Sequence, residues 1–549
     1  MVSPTQPQPA TDETTAADAF ARGIRQLGVL NEFNAKVAAS FFPEVAQLLS
    51  GRSERAPEPK DWRFQHKAWR ENPFFRSLAQ TYVAWSDAVT RAAESVEASD
   101  WRERERLRLG ASVLTSTFAP TNSLFTNPAA LEKAVETGGA SLRRGAEQFR
   151  ADRDQRRSIP VQVDSSGFEV GKNLAVTPGA VVYRTALFEI IQYAPTTPTV
   201  GERPLLIVPP PIGKYYFLDL APGRSLVEYA VSQGLQVFML SWRNPGPTER
   251  DWSLDTYAGG IVEATGVVRD VAGSPDLNVL GFCAGGIVLA TALNHLAAIG
   301  DNRVNAASFG VMLLDFEEQA SIGAFSPATV LDTARNRSED RGVLPAADLA
   351  NVFAWLRPND LVWNYWVNNY LMGEAPPAND IMAWNADGTN LPAALHQDFL
   401  AFFGTNALAT GGVTVLGSEV DLSKVTCDTY FMGAVNDHLT PWKACFRSSQ
   451  LFGGDRTFAL SNAGHIAGLV NPPGNPKARH FVGRSPDGDP ETWLAEASNE
   501  PGTWWTHWAN WVSARSGEQR PAPAALGNAG YAALEPAPGR YVHVTAGNA

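Results

Sequence analysis

LNVLGFCAGGIVLATALNHLAAIG, residues 277–300, decides the fold. Its 24 residues carry no formal charge, a length that could cross a bilayer. Against a membrane span stand Asn278, Asn294 and His295 within it, the interruptions at Gly281, Gly285 and Gly286, and the lack of aromatic or basic anchors at both ends. The stretch reads instead as a buried strand, a tight turn and a buried helix. The turn is Gly281-Phe282-Cys283-Ala284-Gly285, the G-x-S-x-G nucleophile elbow with cysteine where serine is usual. A strained strand-to-helix turn lifts the nucleophile out of the sheet, and the flanking glycines let two backbones approach. The helix N-terminus that follows favours a thiolate and an oxyanion. On pattern alone Gly-x-Cys-x-Gly fits core packing equally well. The surrounding sequence decides.

Working outward, short apolar runs recur between helical patterns after about residue 170: PLLIVPPP (204–211), GLQVFMLSW (234–242), LNVLGF (277–282), FGVMLLDF (309–316), TYFMGAV (429–435) and RTFAL (456–460). Each suits a strand buried on both faces, and the alternation predicts the α/β class, a mostly parallel sheet with helices on both sides. The stretch from about 317 to 426 breaks the rhythm with Trp, Asn and Pro and reads as a cap or lid. Residues 1–16 read as a flexible tail, 17–165 as a mainly helical N-terminal domain, and 166–549 as the domain that carries the elbow. Near the C-terminus Trp504, Trp508 and Trp511 share one helix face, which suits core packing.

Composition narrows the function. The 549 residues carry 45 basic and 57 acidic side chains, a net charge of −12, which argues against a nucleic-acid partner. Three cysteines, Cys283, Cys427 and Cys445, cannot make a disulfide scaffold and suit a reducing, cytoplasmic setting. The N-terminus has no secretory signal pattern. Neither zinc-ligand spacing nor a Walker or dinucleotide motif is present, so cofactor-free covalent chemistry is expected.

An elbow of this kind calls for an acid and then a histidine later in the chain, each after its own strand. Asp437 follows TYFMGAV and His465 follows RTFAL through Ser461-Asn-Ala-Gly464, in the order Cys283, Asp437, His465. Asp315 is a rival acid and His438 a rival base. Asp315 comes one strand early, and His438 precedes Leu-Thr-Pro-Trp, which suggests a loop-to-helix cap. Cys427 and Cys445 read as small buried hydrophobes. Oxyanion donors are expected from the amide of Ala284 and from the loop PPPIGKYYF (209–217), at Ile212.

Beyond the elbow, GFEVGKNLAVTPGAVVYRT (167–185), GKYYFLDLAPGRSLV (213–227), SWRNP (241–245), LRPNDLVWNYWVNNYLMG (356–373), WNADGTNLP (384–392) and GHIAGLVNPPGNPKAR (464–479) resemble the polyhydroxyalkanoate synthases, as do AWRENPFF (68–75) and APTNSLFTNPAAL (119–131). The resemblance runs from about residue 20 to the end. It implies an α/β-hydrolase-like catalytic domain behind a helical domain linked to dimerisation and granule attachment. It also implies an acyltransferase that polymerises (R)-3-hydroxyacyl-CoA into polyester with release of CoA. By position Cys283 matches the family's nucleophile, His465 its base and Asp437 its acid, which either orients the histidine or helps activate the 3-hydroxyl. The implied enzyme is a cytoplasmic homodimer at the surface of a polyester granule, with no metal or cofactor. Gly213, Asn379 and Ala383 depart from the family pattern near an expected substrate gate that includes Trp384 and Asn379. HQDFLAF (396–402) and NDHLTPWKACFRSSQLFGG (436–454) look like the single-subunit synthases that accept medium-length chains. The rival readings are a cysteine thioesterase on the same fold and a non-catalytic granule protein.

Overall fold

The computed structural model describes residues 16–317, 323 and 328–547. The tail expected over 1–16 lies outside these apart from Ala16, which opens the helix Ala16–Leu49. The chain divides into two units, residues 1–147 with Tyr370–Gly373, and residues 148–369 with 374–549.

The first unit is helical. Its two family-like stretches are helix starts built on one device, an asparagine cap followed by proline. Asn72 accepts from the amides of Phe74 (3.0 Å) and Phe75 (3.5 Å) at the head of the helix Pro73–Ser95, and Asn127 does the same for Pro128–Glu136. Phe64, Trp69 and Tyr82 form its small aromatic core, with Trp69 edge-on to Phe64 at 4.9 Å between ring centroids. This unit ends at residue 147, within the helix Ala140–Asp154. Beyond that helix the chain hydrogen-bonds within the second unit. Val161 O accepts from Asn369 Nδ2 (2.7 Å), Gln162 Nε2 donates to Leu361 O (2.6 Å), and Asp164 N donates to Pro377 O (3.1 Å).

In the second unit, eleven strands among the described residues form one sheet. In chain order they are β1 (Gly179–Arg184), β2 (Phe188–Tyr193), β3 (Leu205–Val208), β4 (Val237–Trp242), β5 (Leu277–Phe282), β6 (Val304–Gly310), β7 (Asp428–Ala434), β8 (Arg456–Ser461), β9 (Arg479–Arg484), β10 (Ser498–Pro501) and β11 (Glu535–Pro536). Across the sheet the order is β10-β9-β8-β7-β6-β5-β3-β4-β2-β1-β11. The middle six, β4-β3-β5-β6-β7-β8, are parallel, and the strands outside them pair antiparallel. Both faces are buried, as the continuous apolar runs require. Leu206 and Val208 of β3 enter one core cluster while Leu205 and Ile207 enter the other. Each such side chain contributes about 1.5–3 kcal/mol when fully buried.

Two strand expectations change. FGVMLLDF is not the strand itself: β6 is VNAASFG, whose small residues carry little hydrophobic signal, and it ends at Gly310. At Val311 the chain takes a positive φ of 46° and turns out of the sheet, and the apolar residues that follow are core packing beyond its edge. β2 was missed because its buried sequence, FEIIQY, contains Glu189 and Gln192. Glu189 is fully buried because its carboxylate accepts from Arg184 Nε (2.6 Å) and from the amides of Arg540 and Tyr541 (3.1 Å each).

The stretch between β6 and β7 holds helices, including Ala346–Leu356, Asp380–Ala386 and Ala393–Thr405, one short hairpin at residues 414–419 and a two-residue antiparallel pairing of Val343–Leu344 with Leu391–Pro392. No helix among the described residues is long and apolar enough to cross a membrane. Residues 277–300 are β5, the turn and the helix Cys283–Ala298.

Candidate active site

Cys283 is the first residue of its helix, half-buried, with φ at +48°. That left-handed conformation is the strain expected of an elbow, because a residue with a side chain adopts it only when its surroundings enforce it. The neighbours do enforce it. A Cβ on Gly285 would lie 2.4 Å from Pro209 O and 2.6 Å from Pro209 C, and one on Gly281 would lie 2.9 Å from Gly286 Cα. The glycines therefore let the helix start press against the end of β3. Pro209 O is held in turn by Trp242 Nε1 at 2.8 Å.

Two strand ends carry the other groups. The turn after β7 carries Asp437, which is buried. Its Oδ1 accepts from the amides of Leu439 and Thr440 (2.9 Å each), and its Oδ2 accepts from Thr440 Oγ1 (2.6 Å) and His465 Nδ1 (2.6 Å). Burial pushes this carboxyl up, but the His465 charge and these donors together hold it below its ordinary value. His465 follows β8 and opens the helix His465–Leu469. Burial would hold the imidazole down. The Asp437 carboxylate, with the Cys283 sulfur as a further hydrogen-bond and charge partner, outweighs it and pushes the ring up to about 10. The sulfur, the ring and the carboxylate thus come together, with a proton held on the imidazole chiefly by the Asp437 carboxylate.

The expected oxyanion donors are the amides of Ala284 and Ile212. Ala284 lies in the first turn of its helix, where an amide has no intrahelical acceptor. The Ile212 amide donates to no backbone carbonyl among the described residues. Trp384 is half-buried against the same loop. Its Nε1 donates to Lys214 O (2.8 Å), its ring centroid is 5.0 Å from that of Phe217, and a Cβ on Gly213 would lie 3.2 Å from its Cζ2. The glycine at 213 leaves the space that this indole fills. Asn379 is exposed, and its Oδ1 caps the helix Asp380–Ala386 by accepting from Met382 N at 3.2 Å. That hydrogen bond is to Met382 and not to Cys283, Asp437 or His465.

The rivals are placed elsewhere. Asp315 accepts from Asn406 Nδ2 (3.0 Å) and lies 3.9 Å from Arg447 Nε. His438 adjoins Asp437 in sequence, yet His465 is the imidazole that donates to that carboxylate, and burial together with the Arg357 charge holds His438 below its ordinary value. Cys445 is buried and pushed well up. Cys427 is half-buried and burial pushes it to about 11. Sequence reasoning missed Thr440, although its place three residues after Asp437 is the signal of an Asx cap. It also missed two supports of His465. Trp504 Nε1 donates to Gly468 O (2.7 Å) and Trp505 Nε1 to Leu469 O (2.9 Å), holding the end of the short helix that His465 begins. Trp504, Trp505 and Trp508 are the buried members of that aromatic group, and the half-buried Trp511 packs against the same core, 5.4 Å from Tyr430 between ring centroids, with Arg515 over its ring at 4.0 Å.

Comparison with known proteins agrees with this geometry. The model of the Poly-beta-hydroxybutyrate polymerase (PhaC) N-terminus matches residues 60–230, and that of the alpha/beta hydrolase fold matches residues 217–472. Poly(3-hydroxyalkanoate) polymerase 1 of Ectopseudomonas oleovorans is 45% identical over 511 residues, covering 93% of this chain and 91% of its own. Poly(3-hydroxyalkanoate) polymerase 2 of the same organism is 44% identical over 91% of this chain and 89% of its own. The poly(3-hydroxyalkanoate) polymerase subunit PhaC of Cupriavidus necator is 40% identical over 95% and 89%. An elbow cysteine brought together with histidine and aspartate on an α/β-hydrolase sheet, and identity at this level over nine-tenths of the chain, lead to one conclusion: the chain belongs to the poly(3-hydroxyalkanoate) polymerases, a family of acyltransferases.

Proposed function

We propose that the chain polymerises (R)-3-hydroxyacyl-CoA into polyester through an acyl-Cys283 intermediate, with release of CoA. The observation that carries this reading is the grouping of Cys283, His465 and Asp437, the last two 2.6 Å apart. The Cys283 thiolate attacks the thioester carbonyl, with the developing oxyanion facing the amides of Ala284 and Ile212. The bond from carbon to the CoA sulfur breaks, and protonated His465 gives its proton to that sulfur, so CoA leaves as a thiol. Neutral His465 then takes the proton from the 3-hydroxyl of another acyl unit. That oxygen attacks the acyl-Cys283 carbonyl, the ester forms, and the thiolate returns beside a protonated ring. Thioester-to-thioester exchange is nearly balanced in energy, so cysteine keeps the chain activated between additions. In this reading Asp437 orients and charges His465, since it contacts the ring directly.

The substrate is a CoA thioester, the product a growing polyester chain, and every reacting group comes from the chain and its substrate, with no cofactor. The reading extends to a homodimer at the surface of a cytoplasmic polyester granule, with the helical unit serving assembly and attachment. A thioesterase would use the same three residues and differ only in admitting water. Supplying 3-hydroxyacyl-CoA of graded chain length and following CoA release together with product form separates the two. Insoluble polyester is the expected product, and free 3-hydroxy acid alone would overturn the synthase reading. A non-catalytic role would be revealed by Cys283→Ala retaining full function.

A further inference from the structure

The loop after β3 is held from outside by the segment between β6 and β7 through two carboxylates: Asp380 pairs with Arg224, and Asp387 grips the part nearest Ile212. Asp387 Oδ1 lies 2.8 Å from Lys214 Nζ, and its Oδ2 accepts from Tyr216 OH at 3.0 Å. Lys214 is only 5% exposed at its side chain and donates besides to Val542 O at 2.6 Å. Around this pair, Trp384 Nε1 donates to Lys214 O (2.8 Å), Thr389 Oγ1 donates to Pro211 O (2.9 Å), and Gly213 pairs as an isolated bridge with Gly388. The links from residues 384–389 thus land on residues 211–216, the stretch that contains the Ile212 amide.

The energetics make Asp387 the centre of the arrangement. A buried ammonium that keeps only one carbonyl is an uncompensated charge, so Lys214 holds its place only while the carboxylate is present. The remaining links from residues 384–389 are neutral hydrogen bonds, each weaker than a charge-assisted one. Displacing the segment 384–389 would therefore release the loop that presents the Ile212 amide.

We propose that Asp387 is a positioning residue that locks residues 384–389 onto residues 211–216, so that the oxyanion donor at Ile212 is held in place only with that segment seated. The inference rests on the acyl-Cys283 reading and falls with it. Its consequence is selectivity in timing: thioester attack is fast when the segment is seated, and acyl transfer proceeds with water kept out. Asp387→Asn removes the charge and preserves the shape; Asp387→Glu restores the charge; Tyr216→Phe removes one contact and leaves no buried charge behind.

The test pairs two reactions of the same sulfur. Attack on a 3-hydroxyacyl-CoA builds an oxyanion, whereas alkylation of Cys283 by iodoacetamide displaces iodide at a saturated carbon and builds none. Asp387→Asn is expected to lower kcat for CoA release by about 10²-fold, the order seen on losing one oxyanion donor. KM should change little, alkylation should stay within about twofold, and the free-acid share of the product should rise. Asp387→Glu should recover part of kcat, and Tyr216→Phe should fall between the unmutated protein and Asp387→Asn. Unchanged kcat and product share in Asp387→Asn, beside an active unmutated protein, would overturn the positioning role alone. Parallel losses in alkylation and CoA release in both Asp387→Asn and Tyr216→Phe would overturn it too, as general destabilisation. An unmutated protein that releases no CoA would overturn the underlying reading.

Discussion

Asp437→Asn tests the electrostatics of the site with almost no change of shape. Two backbone amides, those of Leu439 and Thr440, donate to Oδ1 at 2.9 Å and fix that position as the amide oxygen. The new NH2 must then occupy the Oδ2 position, facing Thr440 Oγ1 and His465 Nδ1, each now at 2.6 Å. Thr440 can rotate its hydroxyl to accept. His465 cannot adapt without cost, because Nδ1 must lose its proton to accept, which leaves the proton on Nε2, the nitrogen that must receive one from the substrate hydroxyl. The ring also loses the charge that outweighs its burial, so its proton affinity falls from about 10 toward the ordinary 6.5.

CoA release should fall by about 10²–10⁴-fold, or ~3–5 kcal/mol in the barrier. The alkaline limb of its pH profile, near pH 10 in the unmutated protein, should move toward neutrality. Stability should follow the same signs. The raised His465 contributes stability that is fully present below pH 6.5 and lost as pH rises through about 10. The lowered Asp437 contributes stability present above pH 3.8 and lost as pH falls through its folded value. The melting-temperature deficit of Asp437→Asn should therefore be largest between about pH 3.8 and 6.5 and shrink as pH rises toward 10. A rate loss under tenfold with an unmoved alkaline limb would refute the reasoning.

Two further changes probe the supports. Gly285→Ala would place a Cβ 2.4 Å from Pro209 O, a backbone atom that cannot move aside cheaply. Overpacking of this kind costs about 1–3 kcal/mol, and both melting temperature and CoA release should fall; retention of both would show that the elbow can relax. Trp504→Phe keeps the ring but leaves Gly468 O without its 2.7 Å donor, a loss of about 1–3 kcal/mol for a buried carbonyl. Because this loosens the helix that His465 begins, Cys283 alkylation and CoA release should fall together, in contrast to Asp387→Asn, and an unchanged alkylation rate would count against the support.

The elbow was legible because its geometry forces local sequence: a strand buried on both faces, two glycines at a backbone crossing and an uncharged helix. Asp437 and His465 were legible from chain order and from their places after strands. β6 was not, because VNAASFG is buried by its neighbours on both sides without itself being strongly apolar. β2 hid behind Glu189, whose burial is stabilised by amides some 350 residues away in sequence. Lys214, Tyr216 and Asp387 were invisible for the same reason, since a pairing across more than 170 residues leaves no local period. Trp505 rather than Trp511 is buried because the indoles of Trp504 and Trp505 donate to successive carbonyls of a separate helix, a demand that a simple helical face does not express.

The most direct test of the account is the mass of the Cys283 peptide after the enzyme is mixed with a short 3-hydroxyacyl-CoA and quenched in acid within the first turnover. The account expects the mass of that peptide to rise by one or more 3-hydroxyacyl units, one CoA thiol released for each unit added, and no adduct in Cys283→Ala. CoA released without any acyl group on Cys283, or an adduct on Cys427 or Cys445 instead, would contradict it.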